Sequence, residues 1–247
     1  MRLDRMIAVR NDKTVFCDND ECIKVFHKVY SKSDILNEAH NHARMEDAGL
    51  SVPKLLEVKT IDGRWAIISE YIKGKNLELL MKEEPDRRTE YLEVLIGLQL
   101  DMFYRECPPL PRLKDKLNRR IKNAELDATR RFELHAVLNE MPLQRKICHG
   151  DFVPSNIILS NEGIAFLIDF SHVSQGNAEA DVARTYLEFL AQKDEESAGY
   201  YLERICHKGG FVKEEVMRWI PIVAAAASVD VRGAEREFCL SLAGQKN

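Results

Sequence analysis

The stretch ICHGDFVPSNIILSNEGIAFLIDF, residues 147–170, sets His149, Asp151, Asn156 and Asp169 around two short apolar runs. The runs Ile157-Ile158-Leu159 and Ala165-Phe166-Leu167-Ile168 favour strand, and Ser160-Asn161-Glu162-Gly163 between them supplies turn chemistry. That pattern predicts a loop followed by a tight hairpin. The hairpin would set Asn156 at one strand end and Asp169 just past the other. Two oxygen donors on neighbouring ends suit Mg²⁺, a hard cation usually held by one or two protein oxygens while phosphate and water complete its shell. Asp151 is then a spare carboxylate in the loop before them. The competing reading is a His-Gly-Asp turn and an Ile-Asp-Phe strand end that arose separately in an ordinary α/β protein; order and spacing taken together favour a metal–phosphate site.

The composition around this stretch is that of a soluble globular protein. The 247 residues are 45% apolar and 31% charged, enough for one large domain or two smaller lobes. A net charge of −4 argues against general nucleic-acid binding, which calls for a basic surface. Cys17, Cys22, Cys107, Cys148, Cys206 and Cys239 form no CxxC pair and no zinc-spaced cluster, so a reduced cytoplasm is expected. The N-terminal MRLDRMIAVR lacks the long apolar run of a signal peptide and reads as a first strand. Trp219 to Val229 is too short to span a bilayer and reads as a buried helix, so no membrane partner is expected.

Upstream, Met6–Val9, Thr14–Cys17 and Cys22–Phe26 are three β-prone runs separated by turns at 11–13 and 18–21, an antiparallel meander. Strand alternation sends Lys24 to the face opposite Ile23 and Val25; a plain solvent-facing lysine has the same local pattern. A helix follows to about Ala48, with Ser33 as its expected cap, Ile35, Leu36, Ala39 and Met45 among its apolar positions and Gly49 as its stop. Glu38 and Glu46 both lie on it. Leu55–Val58 and Trp65–Ser69 form a further strand pair around Asp62-Gly63. From Leu77 to Met141 the chain reads as helical, broken at Pro85 and at Pro108-Pro109-Pro111. Lys and Arg recur from 112 to 131, a stripe most simply read as a solvated helix face. Asp181-Val182-Ala183-Arg184-Thr185 opens a helix with an acidic first turn, and further helices run from about Ser197 to the C-terminus.

His149-Gly150-Asp151, four residues, Asn156, then Asp169-Phe170-Ser171 resembles the kinase pattern H-R-D-x-x-x-x-N followed by D-F-G. Glycine in place of the arginine, the DVART string at 181–185 and the Gly-x-x-Val-Pro turn at 49–53 are similar to the aminoglycoside phosphotransferase and choline kinase family, the small-molecule branch of the kinase fold. The resemblance implies an α+β, bilobal protein-kinase-like fold: residues 1–72 as an N-terminal nucleotide-binding lobe of antiparallel sheet plus one helix, and 73–247 as a mainly helical C-terminal catalytic and acceptor-binding lobe.

It further implies ATP, or GTP, with Mg²⁺. Lys24 would contact the α/β-phosphates, held by Glu38 rather than Glu46, and the Glu70 carbonyl and Ile72 amide of a hinge at 69–74 would read the base. Asn156 and Asp169 would carry the metal, and Asp151 would be the catalytic base. Asp181 would brace the catalytic loop. His149, beside the apolar Ile147-Cys148, reads as a structural histidine. One departure is evident: the connection Arg10-Asn11-Asp12-Lys13-Thr14 has none of the glycines that let backbone N–H groups approach phosphate. The acceptor would be a small-molecule hydroxyl. Glu179, Glu188, Asp194, Glu195 and Glu196 could meet a polycation, and Trp219, Tyr186, Tyr200 and Tyr201 could cage choline. A catalytically silent nucleotide-binding scaffold and a protein kinase are the rival expectations; the missing Gly-rich loop, Gly150 and the lack of an A-P-E string weigh against the latter.

Overall fold

A computed structural model describes residues 5–10 and 13–244. Asn11 and Asp12, expected in the first turn, lie outside the described residues, as does the beginning of the N-terminal stretch. The chain forms two compact units, one from Met1–Tyr91 with Pro154–His172, the other from Leu92–Val153 with Val173–Asn247. Residues 73–91 and the hairpin region 154–172 thus pack with the N-terminal sheet.

In the first unit, β1 (Arg5–Arg10), β2 (Lys13–Asp18), β3 (Glu21–Phe26), β4 (Leu55–Ile61) and β5 (Arg64–Glu70) form an antiparallel sheet in the order β1-β2-β3-β5-β4. Period-2 alternation gives the sheet two apolar faces. Ile23, Val25, Ala66 and Ile68 cluster on one. Phe26 and Ile67 pack on the other against Ile35 and Ala39 of α1 (Lys32–Asp47). Each fully buried side chain of this kind contributes roughly 1.5–3 kcal/mol. Lys24, paired with Ile67, is therefore on the face that α1 covers. The cap of α1 is Ser31, whose side chain accepts from the Asp34 N–H; Ser33, the expected cap, instead shares a hydrogen bond with the Ser31 hydroxyl. Leu36 is exposed, whereas Ile35, Ala39 and Met45 are buried.

The expected hairpin is present. β8 (Ile157–Ser160) and β9 (Ala165–Leu167) pair with Ile157 opposite Leu167, and β6 (Gly74–Asn76) adds to the outer edge of β8; β7 (Lys146–Cys148) belongs to the second unit. The Gly163 N–H donates to the Ser160 carbonyl and closes the turn, with Gly163 at φ +82°. A 3-10 turn at Pro154–Asn156 leads into β8. Asn76 caps α2 (Leu77–Glu83) by accepting from the Leu79 N–H at 2.8 Å.

The second unit is mainly helical. It holds most of α3 (Arg88–Tyr104), α4 (Leu113–Asn123), α5 (Ala128–Glu140), α6 (Ala178–Ala191), α7 (Glu195–Gly209), α8 (Lys213–Ala227) and α9 (Gly233–Gly244), with one strand pair, β7 (Lys146–Cys148) and β10 (Ser174–Gly176). The apolar run from Trp219 is the buried half of α8, and α4, α5, α6, α7 and α9 pack around it. The basic stripe is not a plain solvated face. Lys114 donates to the Met141 carbonyl, Arg120 pairs with Asp230, and Arg130 reaches the Ala243 carbonyl at 2.7 Å.

The β6–β8 pairing demands glycine at residue 74, because a Cβ there would fall 2.1 Å from the Leu159 carbonyl oxygen. Gly74→Ala should destabilise the protein by roughly 1–3 kcal/mol through overpacking, read as a lower urea midpoint with an unchanged m-value.

Candidate active site

A cavity of about 310 Å³ lies within the first unit. Lys24, Glu38, Glu70, Ile72, Asn156 and Asp169 all line it. His149, Asp151 and Asp181 belong to the second unit.

In the cavity, the Lys24 ammonium donates to Glu38, which is buried on α1, and to Asp169 Oδ1 at 3.2 Å. Glu46 has a different task. Its carboxylate accepts from the Leu55 N–H at 3.0 Å and so anchors the start of β4. Lys13, at the first position of β2, donates to Asp169 Oδ2 at 2.5 Å. One carboxylate thus carries two ammonium groups. Burial opposes ionisation of Asp169, but Lys24 and Lys13 overcome it and hold the carboxyl well below the ordinary aspartate range. For Lys24, burial favours the neutral amine, yet Asp169 and Glu38 outweigh it and raise its pKa. Burial, then repulsion from Lys24, pushes Lys13 down from the usual lysine value.

Asp169 sits at φ +70°, a left-handed conformation that Asp tolerates better than most side chains. Neighbouring bonds fix it there. Ser171 Oγ donates to Asp169 Oδ1 at 3.1 Å, and Asn41 on α1 donates to the Phe170 carbonyl at 3.1 Å. The segment 69–72 also lines the cavity, held by the Glu70 N–H to the Lys54 carbonyl and the Tyr71 N–H to the Asp20 carbonyl, each 2.8 Å.

These donors fit a metal–phosphate group better than a protein-caged metal. Among the described residues no cluster of three or more His, Cys, Asp or Glu is placed to hold a metal ion. Asp169 and Asn156 offer hard oxygen donors in one cavity, the amount that Mg²⁺ takes when phosphate and water supply the rest. The two ammonium groups beside them suit anionic oxygens.

In the second unit, the loop after β7 is gripped from below. The Gly150 N–H donates to Asp181 Oδ1 at 2.7 Å, and Gln99 Nε2 donates to Asp181 Oδ2 at 3.3 Å. Thr185 Oγ1 donates to the Phe152 carbonyl at 2.8 Å, while the Tyr201 hydroxyl donates to Gln99 Oε1 at 2.6 Å. Asp181, Gln99, Thr185 and Tyr201 are all buried. Burial pushes the Asp181 carboxyl above its ordinary value, against the pull of the Gly150 N–H. Gly150 has φ +79°, which would cost an L-residue about 1–2 kcal/mol and accounts for glycine where the kinase pattern has arginine. His149 is fully buried, its ring edge-on to Phe152. Asp151 is partly exposed, with Arg184 Nη2 at 3.5 Å; Arg184 also donates to Glu188 at 2.7 Å.

A profile of the phosphotransferase enzyme family (APH) matches residues 10–219. The chain belongs to that family. Among curated proteins, no sequence matches it significantly. Among solved structures, this APH-family chain is similar to the aminoglycoside phosphotransferase APH(4)-Ia at a TM-score of 0.70 and 15% identity, over 98% of this chain and 93% of that one. It is also similar to a choline/ethanolamine kinase family protein from Mesorhizobium loti, at a TM-score of 0.63 and 16% identity over 99% and 89%. A thermostable mutant of APH(4)-Ia, solved with AMP-PNP and hygromycin B, matches at 0.69 and 14% over 96% and 91%. Identities this low establish the fold, the kinase-like α+β architecture, and no more.

Two residues of the APH-family chain escaped the sequence reading. Lys13 was legible only as part of a turn; the signal is the β2–β3 register, which sets Lys13 opposite Phe26 and Val15 opposite Lys24. Arg184 lies inside DVART, and its clue is the i,i+4 spacing to Glu188. The structure also gives several of the candidate acceptor groups other contacts. Trp219 and Tyr201 are buried core residues, Tyr200 is bonded to Glu93, and Asp194 caps α7. Glu179 accepts from Gln144.

Asp181→Ala removes a buried acceptor from its donors and should destabilise by roughly 2–3 kcal/mol, whereas Asp181→Asn, which can still accept, should cost less than half of that. Chemical denaturation of both variants checks the order.

Proposed function

We propose that this phosphotransferase-family enzyme moves the γ-phosphate of ATP, or GTP, to a hydroxyl group of a small molecule with the help of Mg²⁺. The observation that carries the reading is Asp169 together with Lys24 and Lys13 in a cavity that also reaches the backbone of 69–72. In this assignment the Glu70 carbonyl and Ile72 amide bind the base edge. Lys24, fixed by Glu38, binds the α/β-phosphates. Asn156 and Asp169 hold the metal, which when bound neutralises charge on the transferring phosphoryl group.

Asp151 orients the acceptor hydroxyl and takes its proton as the oxygen bonds to γ-phosphorus; the bond from γ-phosphorus to the bridging oxygen breaks and the nucleoside diphosphate leaves. Arg184, at 3.5 Å, orients the Asp151 carboxylate. His149 and Asp181 hold the loop. Because phosphoryl transfer is mostly positioning and charge stabilisation, these few groups are enough for the chemistry. The complex of the APH(4)-Ia mutant with AMP-PNP and hygromycin B supports a nucleotide and a small molecule as the two substrates. The six free thiols suit a reducing compartment such as the cytoplasm, and among the described residues no helix is long and apolar enough to cross a membrane.

Release of ADP, or GDP, measured across aminoglycosides, choline, sugars and a generic protein tests the reading. Turnover with a small alcohol is expected; turnover with the protein alone, or with none while Mg-nucleotide still binds, overturns it in favour of a protein kinase or a silent scaffold. With an accepted substrate, Asp151→Asn should lower kcat by on the order of 10²–10⁴-fold, the usual worth of a positioned base, with little change in nucleotide affinity. Asp169→Asn should instead abolish the Mg²⁺ dependence of nucleotide binding, which calorimetry with and without EDTA would read.

A further inference from the structure

We propose that Lys13 is a second phosphate-binding cation, doing with a side-chain ammonium what a Gly-rich loop does with backbone N–H groups. The inference rests on the nucleotide reading above and addresses its one missing part, since the 10–14 connection carries no glycine. Three observations support it. Residues directly opposite one another in a sheet share a face, so the pairs Lys13–Phe26 and Val15–Lys24 put both lysines on the cavity face as diagonal neighbours. Lys13 lines the cavity and is sheltered there, its side chain only 12% exposed. Its ammonium lies on the same carboxylate as that of Lys24, each taking one oxygen of Asp169.

Two cations so close together repel, and the arrangement holds because Asp169 and Glu38 supply two negative charges. That balance changes when Mg-nucleotide enters. A divalent ion held by Asp169 would compete for the carboxylate that Lys13 occupies, and the ammonium, on its four-carbon stem, would then be free to meet anionic phosphate oxygens. A lysine whose only task was to staple β2 to residue 169 would carry no such dependence on phosphate.

Calorimetric titration of wild type, Lys13→Met and Lys13→Arg with Mg-ATP, Mg-ADP, adenosine and inorganic tripolyphosphate separates the cases, with circular dichroism confirming that each variant is folded. Lys13→Met should weaken ATP and tripolyphosphate by roughly 10–100-fold, the worth of one charge-assisted hydrogen bond, and leave adenosine unchanged, while Lys13→Arg recovers most of the loss. In turnover, KM for the nucleotide should rise more than kcat falls. Wild-type affinity for Mg-ATP in Lys13→Met overturns the inference, as does an equal loss for ATP and adenosine, which marks a structural staple. If wild type itself binds neither Mg-ATP nor Mg-GTP, the nucleotide reading fails before Lys13 is tested.

Discussion

A nearly buried carboxylate cannot stay charged on its own, and the first unit is built around that constraint. Removing a carboxylate from water costs several kcal/mol even after the surroundings relax, and Asp169 also holds a left-handed backbone. Lys13 and Lys24 offset the first cost. Asn41 on the Phe170 carbonyl and Ser171 on the carboxylate itself maintain the second. Lys24 in turn is pinned by Glu38, and Glu38 is positioned by the packing of Ile35 and Ala39 on the sheet. The apolar face of one helix therefore sets the charge state of a carboxylate distant in sequence.

The second unit meets a similar demand with hydrogen bonds instead of ammonium groups. Asp181 is also buried, and its donors include a backbone N–H and a side-chain amide. Those weaker partners leave its carboxyl above the ordinary value, the opposite direction from Asp169. The contrast suits their positions. A carboxylate expected to receive a metal must be ionised, whereas one that braces a loop needs only to accept.

Much of this was readable in the residues, for a physical reason. The hairpin at 157–167, the face occupied by Lys24 and the buried helix at Trp219 follow from local periodicity and turn chemistry, and they appear where expected. The pairing of Glu38 rather than Glu46 with Lys24 required the family pattern, because both acids sit on one helix. What periodicity does not carry is register and long-range partnering. Ser31 and Ser33 are equivalent as caps until the helix start is known. Gln99 lies in a stretch that local pattern marks only as helical, yet it is the buried link between Tyr201 and Asp181. Lys13 reads as a turn residue until β2 is aligned with β3. The basic run from 112 to 131 looks solvated because its carbonyl and carboxylate partners, Met141, Asp230 and Ala243, are far away in sequence.

The interrupted course of the first unit has a consequence for synthesis. Its sheet is encoded before residue 71, but Asn156, Asp169 and the strand that pairs with Gly74–Asn76 come only after the chain has left for the second unit and returned. On the ribosome, Lys13, Lys24 and Glu38 emerge first, two cations with a single acid between them. For the time needed to add more than a hundred residues they await their second counter-charge. Until residue 169 arrives, the nascent sheet carries both lysines against Glu38 alone.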